Sequence, residues 1–185
     1  MLYLSYLAAL LLLTGSIFIT PFIALENESN AALSYGLYGL TCHQKISRSY
    51  CIFDTGEGYL LDDCVPQNGT LVERDNEMLS VERNGEVGYK FPVCSRDISL
   101  YFFMLIGALI YPMFRDIESK KLLPPVFLVI AIAPLALDGG LQFLAGGGLL
   151  PFEYESTNAV RAFTGLIAGF VTSFYIIPML QNLRS

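Results

Sequence analysis

The sequence predicts an all-α integral membrane protein: a four-transmembrane-helix bundle with a small extracytoplasmic cap, containing a β-hairpin, between its first two helices. Of the 185 residues, 54% are hydrophobic and 15% are charged, and the mean hydropathy is +0.51. Soluble domains contain about 25% charged residues, so this composition favours a membrane protein over a large soluble core. The chain also alternates between four long apolar stretches and one polar, cysteine-containing insert.

The apolar stretches define the spans, since a helix needs about 20 mainly apolar residues to cross a bilayer. The four predicted spans cover residues 1–25, 98–114, 122–145 and 158–181. The first stretch could instead be a cleavable signal peptide, but it lacks basic residues and its apolar run is too long. We therefore expect it to remain as an anchored helix.

Lysine and arginine in short loops predict the orientation, because they are enriched on the cytoplasmic side. Loop 115–121 contains Arg115, Lys120 and Lys121, and the tail after the fourth span also carries an arginine. Outer loop 146–157 contains two glutamates and no basic residue. The prediction is a multi-pass protein of the cell membrane with both termini in the cytoplasm and the long insert outside.

The insert, residues 26–97, is acidic, with twelve acidic residues against six basic ones. Such a loop binds nucleic acid poorly, so we expect no nucleic-acid partner. It also contains two N-glycosylation sequons. The first begins at Asn27, close to the membrane, whereas Asn68 in Asn68-Gly69-Thr70 is the better candidate for modification.

Two short elements are expected within the insert. Residues 31–40 are too short to span a bilayer and contain tyrosines among leucines, which favours an interfacial helix. Residues 70–91 contain alternating segments around Asn84-Gly85, a dipeptide typical of type I′ hairpin turns. The outer part of the insert is therefore predicted to be a small β-hairpin cap.

All four cysteines and the single histidine lie in the insert. Cys42 follows the interfacial helix and Cys94 precedes the second span, so both should lie at the outer membrane surface. With His43 and Asp97, they offer the ligand types of a zinc or copper site. The alternative is a disulfide between Cys42 and Cys94, which an extracytoplasmic compartment favours.

Four cysteines allow three pairings. We expect a structural disulfide between Cys51 and Cys64, with Cys42 and Cys94 left close to each other. A thiol-redox protein is the weakest hypothesis, because the sequence contains no Cys-x-x-Cys pair.

Polar residues interrupt the last two spans. Asp138 and Gln142 are one helical turn apart on the third span, and Arg161 lies near the start of the fourth. An ionisable group inside a span is costly and usually paired, which predicts an Asp138–Arg161 ion pair. Gly165 and Gly169 form a small-xxx-small pattern that permits close helix approach, so a homo-oligomer or a larger membrane complex could form through that face.

The predicted topology places the end of the third span and the start of the fourth at the outer face. A polar pocket roofed by the insert would then contain Arg96, Asp97, Asp138, Gln142, Glu155, Asn158 and Arg161. Two converging arginines suit an anionic group such as a lipid phosphate or a carboxylate. The candidate catalytic residues are Asp138, Arg161 and Arg96. The candidate binding residues are Gln142, Glu155 and Asn158. The alternative is that the ion pair only staples two helices.

Four motifs occur in order along the chain: Cys42-His43-Gln44 with Arg48-Ser49, Pro92-Val93-Cys94-Ser95-Arg96, Asp138-Gly139-Gly140-Leu141-Gln142, and Glu155-Ser156-Thr157-Asn158 with Arg161 and Thr164-Gly165. Together they resemble the family of prokaryotic predicted membrane proteins called domain of unknown function 2085, from Leu40 to about Gly169. The resemblance implies a small multi-span membrane protein without a named activity. The family's second motif typically reads Cys-x-Arg-Cys-x-Gly, but this chain has Asp97 and Ser99 at the last two of these positions, which removes one soft ligand.

The favoured function is a non-enzymatic accessory or binding component, with a disulfide-stapled outer cap over the polar pocket. The alternative is a membrane-embedded enzyme, metal-dependent or not, that acts on a lipid-linked or anionic substrate. The sequence contains no nucleotide-binding loop, serine-hydrolase elbow or HExxH motif. The partner predicted most directly is the lipid bilayer.

Overall fold

A computed structural model describes residues 2–65 and 78–183. Its helices are α1 (Leu2–Glu26), α2 (Glu28–Gly39), α3 (Ser95–Phe114), α4 (Pro125–Gly146) and α5 (Asn158–Asn182). Its strands are β1 (Tyr50–Asp54), β2 (Tyr59–Asp63), β3 (Ser80–Arg83) and β4 (Glu86–Lys90). Helices α1, α3, α4 and α5 are long and apolar enough to cross a membrane. For the described residues, the prediction of four apolar helices is confirmed, and the predicted hairpin is part of a small antiparallel sheet.

The chain divides into two compact units. The helical unit consists of residues 1–14 and 96–185, and the sheet unit consists of residues 15–95. The helical unit contains the start of α1, nearly all of α3, and both α4 and α5. The sheet unit contains the rest of α1, α2 and all four strands.

Two helices start earlier than the apolar pattern predicts, and polar first turns explain both differences. Helix α2 begins at Glu28 because Asn27 caps it, accepting a hydrogen bond from the Ser29 backbone N–H at 3.0 Å. Asn27 therefore has a structural role, although it begins a sequon. Helix α3 begins at Ser95, and its first turn includes Arg96 and Asp97.

The sheet has the antiparallel order β2-β1-β4-β3. The turn between β3 and β4 places Asn84 and Gly85 at φ values of 55° and 83°, as a type I′ turn requires. The β1–β2 hairpin was not predicted, since its segment is rich in acidic residues and glycine. Residues 70–74 of the predicted hairpin, and the sequon at Asn68, lie outside the described residues.

The predicted disulfide between Cys51 and Cys64 is present. It joins the start of β1 to the residue that follows β2, and both cysteines are buried. They belong to a small core with Phe53 and other apolar side chains. A Cβ at Gly88 would lie 2.5 Å from the Phe53 ring, so glycine is required where β4 crosses this core.

Close contact between α3 and α5 organises the helical unit. A Cβ at Gly165 would lie 2.3 Å from the Arg96 carbonyl oxygen. A Cβ at Gly169 would lie 2.2 Å from the Leu100 carbonyl oxygen, so only glycine fits at either position. The face that carries both glycines is occupied by α3 of the same chain. The use of that face as an oligomer interface stays a prediction, and it would require α3 to be displaced.

Tyrosine and serine hydroxyls add polar contacts to this packing. Tyr3 donates a hydrogen bond to the Ala108 carbonyl at 3.0 Å, which joins the start of α1 to α3. Ser173 of α5 donates to the Met104 carbonyl of α3 at 2.6 Å. These bonds satisfy polar groups inside an otherwise apolar bundle.

The last turns of α5 hold the loop between α3 and α4. The Tyr175 hydroxyl donates to the Pro124 carbonyl at 2.6 Å. Side-chain amides near the end of the helix bond two more loop carbonyls, from Gln181 to Ile117 and from Asn182 to Lys120, each at 2.9 Å. The loop conformation therefore depends on the C-terminal end of α5.

Replacing Gly169 with alanine tests the α3–α5 contact. The new methyl group would collide with the Leu100 carbonyl, so we expect the free energy of unfolding in detergent to fall by about 2 kcal/mol. Gly140→Ala in α4 is the matched control, because no atom lies within 4 Å of a Cβ there. Equal effects of the two substitutions on unfolding would contradict the contact.

Candidate functional site

A buried polar cluster lies within the helical unit. It combines the first turn of α3, the second half of α4, loop 147–157 and the first turn of α5. Asp138 and Gln142 are each 6% exposed and lie one turn apart on the same face of α4. Arg161, in the first turn of α5, is 2% exposed. The cluster thus gathers groups that are costly to bury in a membrane protein.

Asp138 accepts hydrogen bonds at both of its carboxylate oxygens. One of its oxygens accepts a charged hydrogen bond from Arg96 Nη2, and the other accepts a bond from the Tyr154 hydroxyl at 2.8 Å. A Cβ at Gly139 would lie 3.0 Å from Arg96 Nη1, so the missing side chain leaves room for the guanidinium.

The expected Asp138–Arg161 ion pair is wrong, since the partner of Asp138 is Arg96. The packing of α3 explains the difference. The Arg96 backbone lies against Gly165, which sets the first turn of α3 beside α4 and α5. Helix packing therefore places Arg96, and not Arg161 of the next helix in the sequence, beside Asp138.

Arg161 pairs instead with two residues that shortly precede it in the sequence. Its guanidinium donates to the Glu155 carboxylate and to the Asn158 side-chain oxygen, the latter at 3.1 Å. The Arg161 side chain is 2% exposed, whereas the Glu155 side chain is 54% exposed. The cation is buried while its carboxylate partner remains open to solvent or headgroups.

Tyr154 is a member of the cluster that the sequence did not reveal. Its hydrogen bond to Asp138 raises the pKa of the phenol, and burial raises it further. The phenol therefore stays protonated at neutral pH and serves as a donor. Its position next to Glu155 was the only sequence feature that could have indicated this role. An aromatic residue in a polar loop is not by itself diagnostic of a buried hydrogen bond.

Two donors of the cluster have no acceptor. In the described part of the chain, the buried atoms Arg96 Nε and Gln142 Nε2 make no hydrogen bond. Buried polar atoms are nearly always bonded, and an unsatisfied donor costs about 1–3 kcal/mol. An acceptor beyond the described residues would satisfy either atom.

A cavity of about 280 Å³ lies within the helical unit. It is lined by the end of α4 and by loop residues that include Tyr154 and Glu155. The two loop residues are hydrogen-bonded to Asp138 and Arg161 respectively. The cavity is therefore next to both charged pairs and has room for a small polar group.

The predicted metal ligands are distributed between the two units. Cys42 and Cys94 belong to the sheet unit, their sulfur atoms lie within 4.8 Å of each other, and no disulfide joins them. His43 is exposed and lies outside this group, and its assignment as a ligand stays a prediction. Asp97 belongs to the helical unit, in the first turn of α3.

Comparison with known proteins places the chain in a family. A family model described as "Predicted membrane protein (DUF2085)" matches residues 86–175. An uncharacterised protein of Methanocaldococcus jannaschii is 31% identical over 183 residues, which cover 96% of this chain and 91% of that protein. The chain belongs to the DUF2085 family. No solved structure matches it significantly.

The range matched by the DUF2085 family contains most of the polar cluster. Arg96, Asp138, Gln142, Tyr154 and Arg161 all lie within residues 86–175. The segment with the first three cysteines precedes this range and is covered by the archaeal relative instead. The matched range of this DUF2085 protein includes α3, α4 and most of α5, and the family description states no activity.

Double-mutant cycles test the pairing in the cluster. Asp138→Asn and Arg96→Gln remove two partners of one buried ion pair, so we expect a coupling energy above about 1 kcal/mol in the free energy of unfolding. The matched cycle of Asp138→Asn with Arg161→Gln should give a clearly smaller coupling energy. Larger coupling to Arg161 would refute the observed pairing.

Proposed function

We propose that this protein is a non-enzymatic accessory or binding component of the membrane, and that its polar cluster binds an anionic lipid headgroup or another small anionic group. The observation that carries the proposal is the pair of buried donors, Arg96 Nε and Gln142 Nε2, that have no acceptor in the described part of the chain. Both atoms are N–H donors, so the missing group must be an acceptor. A phosphate or carboxylate oxygen supplies one.

The charges of the cluster support an anion as the ligand. Arginine is suited to phosphate and carboxylate because its planar guanidinium donates several hydrogen bonds in fixed directions. Arg161 is buried, but its partner Glu155 is half exposed, so an incoming anion can replace that carboxylate. Glu155 then acts as an internal substitute that neutralises Arg161 when no ligand is bound.

The hydrogen bonds of Asp138 support binding over catalysis. Both of its carboxylate oxygens already accept bonds, one from Arg96 and one from Tyr154. A general base needs an oxygen that can reach a substrate proton. The membrane-embedded enzyme hypothesis would therefore require this arrangement to open, whereas ligand binding to the unsatisfied donors does not.

The loop charges support an orientation for this site. Arg115, Lys120 and Lys121 lie in the loop between α3 and α4, and basic loop residues favour the cytoplasm. The loop between α4 and α5 contains Glu153 and Glu155 and no basic residue. We propose that both termini are cytoplasmic and that the polar cluster is at the headgroup depth of the outer leaflet.

Gln142→Leu tests the anion site. Removing the unsatisfied amide should raise the free energy of unfolding without added lipid by about 1 kcal/mol. The same variant should bind phosphatidylglycerol about tenfold more weakly, because one hydrogen bond to the anion is lost. Native mass spectrometry of the detergent-solubilised protein would measure lipid binding, with phosphatidylcholine and inorganic phosphate as comparison probes.

Tyr111→Phe is the matched control for Gln142→Leu. It also removes a buried atom, the Tyr111 hydroxyl, that has no hydrogen bond among the described residues, but it lies outside the polar cluster. It should stabilise the protein and leave phosphatidylglycerol binding unchanged. Equal binding losses in both variants, or no preference of the wild-type protein for either anion over phosphatidylcholine, would overturn the proposal.

Labelling of intact cells tests the orientation. In a background with Cys42 and Cys94 replaced by alanine, Glu153→Cys should react with a membrane-impermeant maleimide. Ser119→Cys, in the loop between α3 and α4, should react only after the membrane is permeabilised. The reverse pattern would show that the orientation is inverted.

A further inference from the structure

The sheet unit contains two cysteines that are close together without a disulfide. Cys42 follows α2, and Cys94 follows the last strand of the sheet. Their sulfur atoms lie within 4.8 Å of each other, and both residues are half-buried. They are therefore accessible to small solutes, unlike the buried pair Cys51 and Cys64, which forms a disulfide in the same unit.

Buried hydrogen bonds hold the two cysteine-bearing segments side by side. The Gln44 amide donates to the Pro92 carbonyl at 2.8 Å and to the Tyr35 carbonyl at 2.7 Å. Gln44 is two residues after Cys42, and Pro92 is two residues before Cys94. The proximity of the two sulfur atoms thus does not depend on a bond between them.

A second set of bonds completes this support. The Lys90 ammonium donates to the Gln44 carbonyl, and the Tyr35 hydroxyl donates to the Lys90 carbonyl at 2.6 Å. Lys90 is fully buried, and Gln44 has a φ of 51° in the left-handed region, which costs about 1 kcal/mol or more for a residue other than glycine. The hydrogen bonds of Gln44 therefore hold this residue in an unfavourable backbone conformation, two residues after Cys42.

From this preorganised pair we infer a binding site for a soft metal ion, in which the Cys42 and Cys94 thiolates are the ligands. Thiolates select ions such as Cu⁺ and Zn²⁺ over hard cations. Each thiol loses its proton when its sulfur bonds the metal, so binding releases two protons per ion. Zn²⁺ would complete a four-ligand shell with further donors such as water, whereas Cu⁺ accepts fewer ligands.

This site does not rest on the proposed anion site, because the two share no residue. His43 is adjacent to Cys42 in sequence but is exposed and outside the sulfur pair, so it serves as a matched control. The fixed scaffold predicts that the metal requires both sulfur atoms and does not require the imidazole.

Metal analysis of the full-length protein tests the inference. After purification with a phosphine reductant, samples would be loaded with Zn²⁺ or Cu⁺, desalted and measured by elemental mass spectrometry. We expect about one ion per chain in the wild-type protein and in His43→Ala, and loss of most of this ion in Cys42→Ser and in Cys94→Ser. Comparing the two ions identifies which one the site prefers.

Two further measurements separate a lost site from a misfolded protein. Retention of the Cys51–Cys64 disulfide in each variant shows that the sheet unit has formed. Titration of metal-stripped wild-type protein should release about two protons per ion, which needs no variant. The inference is overturned if wild-type protein retains no stoichiometric ion or if His43→Ala loses it as the cysteine variants do. Peptide mapping of protein alkylated before any reduction would also overturn it by finding a Cys42–Cys94 disulfide.

Discussion

The close approach of α3 and α5 sets the geometry on which the polar cluster depends. At Gly165 and Gly169 the two helices meet with no room for a Cβ. Without a hydrophobic driving force between helices in lipid, such contact supplies the dispersion that holds them together. It also fixes the first turn of α3, and with it the position from which Arg96 reaches Asp138. A small change in the distance between α3 and α5 would therefore move the Arg96 guanidinium relative to Asp138.

The charges of the cluster are paired, but two of its N–H donors make no hydrogen bond among the described residues. Arg96 neutralises Asp138, and Glu155 neutralises Arg161, so no net charge is buried by either pair. Ion pairs alone would explain a structural staple. The unsatisfied N–H groups of Arg96 and Gln142 are what a staple does not explain. They are the reason for proposing that the cluster binds an anion and does more than join helices.

The sequence predicted those elements that depend on residues close together in the chain. Long apolar runs identified the four helices, and the Asn84-Gly85 dipeptide is the turn of a hairpin. The partner of Asp138 could not be predicted, because it depends on which helix packs beside α4. The small residues of the Gly165/Gly169 face predicted a close helix approach, but they could not identify α3 as the helix that packs there. The β1–β2 hairpin was missed because acidic residues and glycine hide its alternation.

The hydrogen bonds from the end of α5 to the loop between α3 and α4 have a practical consequence for handling this protein. Gln181 and Asn182 bond the Ile117 and Lys120 carbonyls only while the final turn of α5 stays wound. Unwinding of that turn would break both hydrogen bonds to the loop. Reporter or affinity tags at this terminus therefore belong behind a flexible glycine-serine spacer, so that their motion is not transmitted to the helix.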